Sequence, residues 1–219
     1  MKTTVIENDL VNMERRYRAT FLNSLAGFRT AILVGTLSEN AVPNVAVFNS
    51  LIHFGADPPL WGLVMRPDPL SRDTYRNIQR NNRYTLNYLS VGWEKHVHQT
   101  SAKYGHDESE FTACGLTAEM ETSDLAPSVG EASICILMDL VQTIPVPLNG
   151  TSIVIGKPIR IQYQASLVGP DGFADLASEN LLGCLGLDAY CSTRLITRYD
   201  YAKRDVLVGE KKTQDGGAG

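Results

Sequence analysis

"ASICILMDLVQTIPVPLNGTSIVIGKPIRIQYQ", Ala132 to Gln164, is the stretch that decides the fold. Two long runs rich in Ile, Leu and Val flank Pro147-Leu148-Asn149-Gly150. β-Branched residues favour a pleated, half-buried chain. An Asn-Gly pair tolerates the positive φ angles that a tight hairpin turn demands. The stretch therefore reads as one long antiparallel hairpin.

Upstream the same pattern repeats. Ala31–Leu37 and Asn44–Phe48 are two β-rich runs, and "SENAVPN" (Ser38–Asn44) is the turn cluster that joins them. "ADPP" (Ala56–Pro59) breaks the chain, and "LWGLVMR" (Leu60–Arg66) is apolar enough to be a strand buried on both faces. "RYTLNYLS" (Arg83–Ser90) alternates Tyr84, Leu86 and Tyr88 against Thr85, Asn87 and Leu89. Six or so strands, clustered and mostly antiparallel, give a mainly β barrel or sandwich with peripheral α-helices.

The remaining segments fill in around that barrel. Residues 1–18 read as an arm or short helix, "GWEKHVHQTSAKYG" as helix, and Leu176–Leu187 as another helix. The acids of "HDESEF" (His106–Phe111) read as a solvated turn leading into extended chain. No linker separates two cores, so residues 1–205 read as one domain and 206–219 as a disordered tail.

Composition narrows the function. A net charge of −4 argues against broad nucleic-acid binding, yet leaves room for a local anion pocket. Cys114, Cys135, Cys184 and Cys191 form no C-x-x-C pair, so they read as reduced core thiols. No apolar run is long enough for a membrane helix and the N-terminus lacks a signal pattern, which reads as a soluble cytoplasmic protein.

One segment carries chemistry. "RPDPLSRDTYRNI" (Arg66–Ile78) places two prolines, two arginines, a serine and a threonine before a short helix with Tyr75 and Ile78 on one face. Ser71 or Asp73 would cap that helix. A helix N-terminus attracts anions through its unpaired N–H groups, and nearby hydroxyls and guanidiniums strengthen the attraction. Capping sequences are common, so the residues alone fit a plain capped helix as readily as an anion site.

Other motifs are weaker. "GKP" lacks the rest of a Walker loop, and "GCLG" lacks the third glycine of a dinucleotide fingerprint. There is no G-x-S-x-G. His96 and His98 would share a face on a strand but not on a helix, so they make no metal pair. His53 is either a core-edge histidine or a pocket residue. No residue stands out as a catalytic acid, base or nucleophile.

Taken in order, the motifs resemble one family, the flavin reductase-like, FMN-binding split-barrel proteins. The resemblance rests on "GTLSENAVPNVAVFNSLIHFGADPPLWGLVMR", "SRDTYRNIQRNNRYTLNYLS", "QTSAKYGHDESEFTACGLT", "TSIVIGKPIRI" and "PDGFADLASENLLGCLGLDAY". It covers roughly residues 20–195 and implies a six-stranded antiparallel split β-barrel of Greek-key type. It also implies a homodimer with FMN near the interface. By resemblance, Ser71, Arg72, Asp73 and Thr74 hold the FMN phosphate, Asp73 mainly through its backbone N–H. Arg66 adds charge, Asn49 and Ser50 lie along the flavin ring and ribityl chain, and Thr100 and Ser101 close over the cofactor. Two features depart from the family. Pro67 and Pro69 lengthen the phosphate loop, and no histidine follows His106.

The expected activity is that of an FMN oxidoreductase with NAD(P)H as co-substrate, passing electrons to a small-molecule acceptor or a redox partner protein. Hydride transfer to flavin needs no acid–base pair from the protein. Two alternatives stand beside it. One is a flavoredoxin-like electron carrier, and the other is a non-catalytic FMN-binding protein.

Overall fold

The long hairpin is the spine of the fold. In the computed structural model, which describes residues 1–121 and 124–211, Ile134–Val146 pairs antiparallel with Thr151–Tyr163 from Val146↔Thr151 to Ile134↔Tyr163. In chain order the strands are β1 Phe28–Thr30, β2 Ile32–Leu37, β3 Pro43–Phe48, β4 Leu51–Ala56, β5 Pro59–Met65 and β6 Arg83–Tyr88. They continue with β7 Ala118–Glu119, β8 Ser128–Val129, β9 Ile134–Val146, β10 Thr151–Tyr163, β11 Gly183–Leu185 and β12 Ala189–Cys191. The helices are α1 Glu7–Asn12, α2 Arg15–Leu25, α3 Asp73–Asn81, α4 Glu94–Gln99 and α5 Glu110–Cys114. None is long and apolar enough to cross a membrane.

Seven strands form one antiparallel sheet in the order β3-β2-β6-β9-β10-β5-β4. Its two outer strands, β3 and β4, are consecutive in sequence, with only Asn49 and Ser50 between them. A link that short reaches no further than about 10 Å. The sheet must therefore curl until its edges meet. No ladder joins β3 to β4, so the barrel is split at that seam. The mainly β, antiparallel split barrel is as the sequence implies. The count differs by one because β4 has the weakest sequence pattern, with polar His53 and Gly55 in an edge strand that exposes His53 and Phe54.

The core explains the alternation in β6. Tyr84, Leu86 and Tyr88 point into the barrel with Ile32, Val34, Ile136 and Met138. Leu89, just after the strand, joins Leu33 and Val45 in a second cluster outside the barrel, capped by Val97, Phe111 and Cys114 of α4 and α5. Both faces are thus covered, and each fully buried Leu or Ile contributes about 2 kcal/mol. Polar Thr85 and Asn87 are tolerated on the outer face because backbone groups satisfy them. Asn87 donates to Leu33 O at 3.1 Å and accepts from Val129 N at 2.9 Å.

Three local expectations change. Leu176–Leu187 is not a helix. Leu182 N donates to Leu89 O and Ala31 N to Leu182 O, and β11 pairs with β1 and β12. Neighbouring Leu181 and Leu182 serve opposite clusters, which an extended chain permits and a helix face does not. "HDESEF" is not wholly a solvated turn, since it runs into α5 with Glu110 buried. "LWGLVMR" is only partly buried, with Leu60, Trp61 and Val64 half-exposed. At the chain's end, Glu210 bridges Tyr199 and Val206 bridges Lys203, while residues 212–219 of the expected tail lie outside the described residues.

Candidate functional site

The seam where the barrel splits is also where the sequence places Asn49 and Ser50. Both are half-buried. Asn49 Nδ2 donates to the carbonyl of Gly186 at 2.6 Å and lies 3.8 Å from Cys184 Sγ. Ser50 Oγ donates to Val64 O at 3.1 Å, next to the end of β5. Because β5 runs straight into Arg66, the seam and the Arg66–Thr74 loop are neighbours. Gly186, the last residue of "GCLG", joins them through Asn49.

The loop itself is a sequence of tight turns. Asp68 takes a left-handed conformation at φ +58°, Pro69–Ser71 forms one 3-10 turn, and α3 starts at Asp73. The residue at the helix cap is Arg72, not Ser71 or Asp73, and it places no side-chain acceptor on the first N–H groups of α3. Ser71 cannot cap because its hydroxyl turns back to Asp68 O at 2.9 Å. Asp73 is drawn away by Arg76 and by His106 Nδ1 at 2.6 Å. The N-terminus of α3 is therefore uncapped. Arg66 and Arg72 are exposed beside it and make no ion pair among the described residues.

Thr74 behaves differently from its neighbours. It is buried, and its hydroxyl donates inward to Asn44 Oδ1 at 3.3 Å. Asn44 is the centre of a buried polar chain that sequence reasoning missed. Thr36 Oγ1 donates to Asn44 Oδ1 at 2.9 Å, and Asn77 Nδ2 donates to Thr36 Oγ1 at 3.1 Å. Asn44 Nδ2 and Val45 N both donate to Glu110 Oε2, at 2.8 and 3.3 Å. Thr36 and Asn44 are directly opposed across β2 and β3, while Thr74 and Asn77 come from α3 and Glu110 from α5. Burial pushes the Glu110 carboxyl above the usual carboxylate range, and the charge of Asp73 adds to it. Hydrogen bonds from Val45 and Asn44 oppose the rise. Asn44 and Glu110 both lie inside motifs the sequence singled out, but nothing local marks an acid as buried.

Thr100 and Ser101 lie at the end of α4, which packs against β3. Thr100 is buried and its hydroxyl caps Val97 O at 2.8 Å, whereas Ser101 is exposed. No hydrogen bond among the described residues joins either of them to Asn49, Ser50 or the loop. A cavity of about 510 Å³, lined by Asn82, Arg83, Asp139 and Lys157 among others, includes no residue of the seam or the loop. A smaller one of about 230 Å³ lies between β1 and the Leu176–Leu182 segment. Beside the uncapped helix, Arg66, Ser71 and Arg72 are exposed, whereas Asn49 and Ser50 at the seam are half-buried. His98 is exposed and its ring faces Tyr190, and His96 Nδ1 donates to Cys114 O at 2.7 Å. The two histidines therefore engage different groups.

Comparison with known proteins bears directly on this arrangement. The family profile described as Flavin reductase like domain matches residues 26–175. No curated protein sequence matches the chain. A candidate flavin reductase with split barrel domain from Shewanella frigidimarina NCIMB 400 is 37% identical, with a TM-score of 0.88 over 92% of this chain and 100% of that one. Flavoredoxin of Desulfovibrio vulgaris (Miyazaki F) is 21% identical, with a TM-score of 0.66 over 81% of this chain and 91% of that one. An FMN-binding protein from Thermus thermophilus is 17% identical, with a TM-score of 0.64 over 77% and 88%. The last two likenesses speak to the fold alone.

Proposed function

The chain belongs to the flavin reductase like domain family, and on that footing we propose that it binds FMN at the seam and works as an NAD(P)H-dependent oxidoreductase. One observation carries the reading. The N-terminus of α3 is uncapped and flanked by Arg66 and Arg72, which have no other ionic partner among the described residues. That donor set fits a single phosphate, the only phosphate FMN carries. Backbone N–H groups at Asp73 and Thr74 would hold it through the helix dipole, and the guanidiniums would add charge-assisted bonds.

Asn49 and Ser50 would lie along the ring and ribityl chain. The Asn49–Gly186 bond holds that edge of the seam still, so the flavin would meet a preformed wall rather than a mobile one. Bound flavin supplies the redox chemistry, taking a hydride from a nicotinamide nucleotide and releasing electrons onward. The protein's part is placement and the exclusion of water. The exposed loop suits completion by a second copy of the chain, with Ser101 reaching over that copy's cofactor. The Thr100 hydroxyl is already committed to Val97 O, so it would serve the α4 terminus rather than the ligand. Four free cysteines, three of them buried, agree with a reducing cytoplasmic location.

A second reading is an electron carrier of the flavoredoxin type with a protein redox partner. It is favoured by the absence of any histidine after His106, the departure from the family pattern noted in the sequence. The two readings separate in one experiment. Purified protein is examined for flavin absorbance, loaded with FMN if colourless, and mixed with NADH or NADPH without oxygen. Rapid bleaching supports the reductase. Yellow protein that neither nucleotide bleaches supports the carrier. Protein that takes up no FMN rejects both.

A further inference from the structure

We propose that Glu110 is a positioning residue for the phosphate cradle: its protonation state sets the direction of the buried hydrogen-bond chain through Asn44, and so decides whether the Thr74 hydroxyl can donate to a bound phosphate. The inference rests on the reading of Ser71–Thr74 as that cradle.

The direction follows from what each group can donate. An ionised carboxylate only accepts. Glu110 Oε2 therefore takes the Asn44 amide hydrogen and Val45 N–H. With its NH₂ committed, Asn44 must present Oδ1 to the hydroxyls of Thr36 and Thr74. Thr74 has one hydroxyl proton. Pointed at Asn44, it leaves only lone pairs for a phosphate, and lone pairs repel phosphate oxygens.

A proton on Glu110 reverses the chain. The acid then donates its O–H to Asn44 Oδ1, and the Asn44 amide turns over with almost no change of shape. Its NH₂ now faces Thr36 and Thr74. Asn77, whose amide meets Thr36 Oγ1 at 3.1 Å, turns likewise and accepts from Thr36. Thr74 becomes an acceptor from Asn44, and its own proton is released toward the phosphate. A charge-assisted donor is gained without moving the backbone. The proton comes from solvent to Glu110, and no other group changes charge.

The charged surroundings are few. α3 brings Asp73, held by Arg76 and by His106 from the preceding loop of α5. α4 brings His96, whose Nδ1 is bonded to Cys114 O, and α5 itself carries Cys114. β3 contributes no titratable side chain. Burial raises the Glu110 carboxyl, which moves the reversal toward working pH.

The test measures dissociation constants of FMN and of riboflavin, which lacks the phosphate, from pH 5 to 8. The proteins are the wild type, Glu110→Gln, Thr74→Val, Thr74→Ser and the doubles with Glu110→Gln. Gln carries no charge at any pH, and with its amide nitrogen at the Oε2 position it donates to Asn44 Oδ1 as the protonated acid does, giving up the Val45 N–H contact. The FMN phosphate titrates near pH ~6 in every variant, so only ratios to Glu110→Gln count. Wild type should bind FMN on the order of tenfold more weakly than Glu110→Gln at pH 8, and the gap should close toward pH 5. Thr74→Val should abolish the gap, and Thr74→Ser, which keeps the hydroxyl and the fold, should retain it. Riboflavin should show no gap. A gap that does not vary with pH, or one that survives Thr74→Val, overturns the relay, the latter leaving simple charge repulsion. If FMN and riboflavin bind equally, the cradle reading fails and takes the inference with it. If FMN binds far tighter but the gap is absent, the inference alone falls.

Discussion

Asn49 donates its side-chain amide to the carbonyl of Gly186 at 2.6 Å, across 137 residues of chain. The bond ties the seam of the barrel to the turn between β11 and β12, where Gly186 holds a left-handed φ of +67°. Asn49→Ala should cost about 1 kcal/mol, because the Gly186 carbonyl keeps only the weak Cys184 thiol donor at 3.5 Å. Asn49→Asp should cost more, roughly 2–3 kcal/mol, since a carboxylate would face a carbonyl oxygen. Urea unfolding of the three proteins checks the order. If the Asp and Ala variants are equally stable, Asn49 is not acting as the donor.

Tyr84 is fully buried, yet its hydroxyl has no hydrogen-bond partner among the described residues. It rests against Gly156, where an added Cβ would come within 2.9 Å of Asp139 O and closer still, 2.3 Å, to the Tyr84 oxygen. Tyr84→Phe should therefore stabilise the barrel by about 1 kcal/mol. Gly156→Ala should cost about 2–3 kcal/mol by overpacking. In the double variant part of that cost should vanish, giving a coupling of roughly 1 kcal/mol in a double-mutant cycle. Strict additivity of the two changes would show that the hydroxyl is not the obstacle.

The contrast between the two cases shows what the sequence could reveal. The β9–β10 hairpin, the β2–β3 pair and the alternation in β6 were legible because their signals are local, an Asn-Gly turn or a period of two. β4 was not, because Leu51–Ala56 sets His53 and Gly55 among apolar residues and shows no period of two. The Leu176–Leu187 segment has enough apolar residues for a helix. It is held extended instead by β1 and by Leu89, partners that lie far away in the chain. In the proposed site, the two arginines and the helix start of Arg66–Thr74 were readable from residue types. The burial of Glu110 was not, because an acid flanked by exposed Asp107 and Glu108 has nothing local to set it apart. Only the meeting of β3, α3 and α5 around Asn44 makes it a buried partner.

Glu110 also makes stability depend on pH. Its carboxyl is raised in the folded state above its ordinary value of 4.5, so the folded chain binds more protons than the unfolded one in the window between the two values. Stability from this group is present below that ordinary value, falls as pH rises through the raised folded value, and is then flat. Glu110→Gln removes the penalty. Its melting temperature should exceed that of wild type at pH 8, with the difference shrinking toward pH 5. A difference that stays constant as pH falls from 8 to the ordinary value of 4.5 would mean that the carboxyl is not the titrating group.

Arg72 and Arg66 differ in where the loop leaves them. Arg72 occupies the N-cap position of α3 without bonding to it, while Arg66 precedes Pro67, the left-handed Asp68 and Pro69. Both are exposed, so replacing either with alanine should leave the melting temperature unchanged. Arg72→Ala should weaken FMN by about tenfold while leaving riboflavin unaffected, because only FMN brings an anion to the helix N-terminus. Arg66→Ala should cost less, since Arg72 sits at the N-cap position itself and Arg66 lies six residues earlier in the chain. Added salt should weaken FMN binding more than riboflavin binding, and this excess should be smaller in Arg72→Ala. Titrations of both flavins at two ionic strengths settle the order. Equal losses from the two arginines would place Arg66 inside the cradle, whereas a riboflavin loss matching the FMN loss would remove the phosphate from the loop altogether.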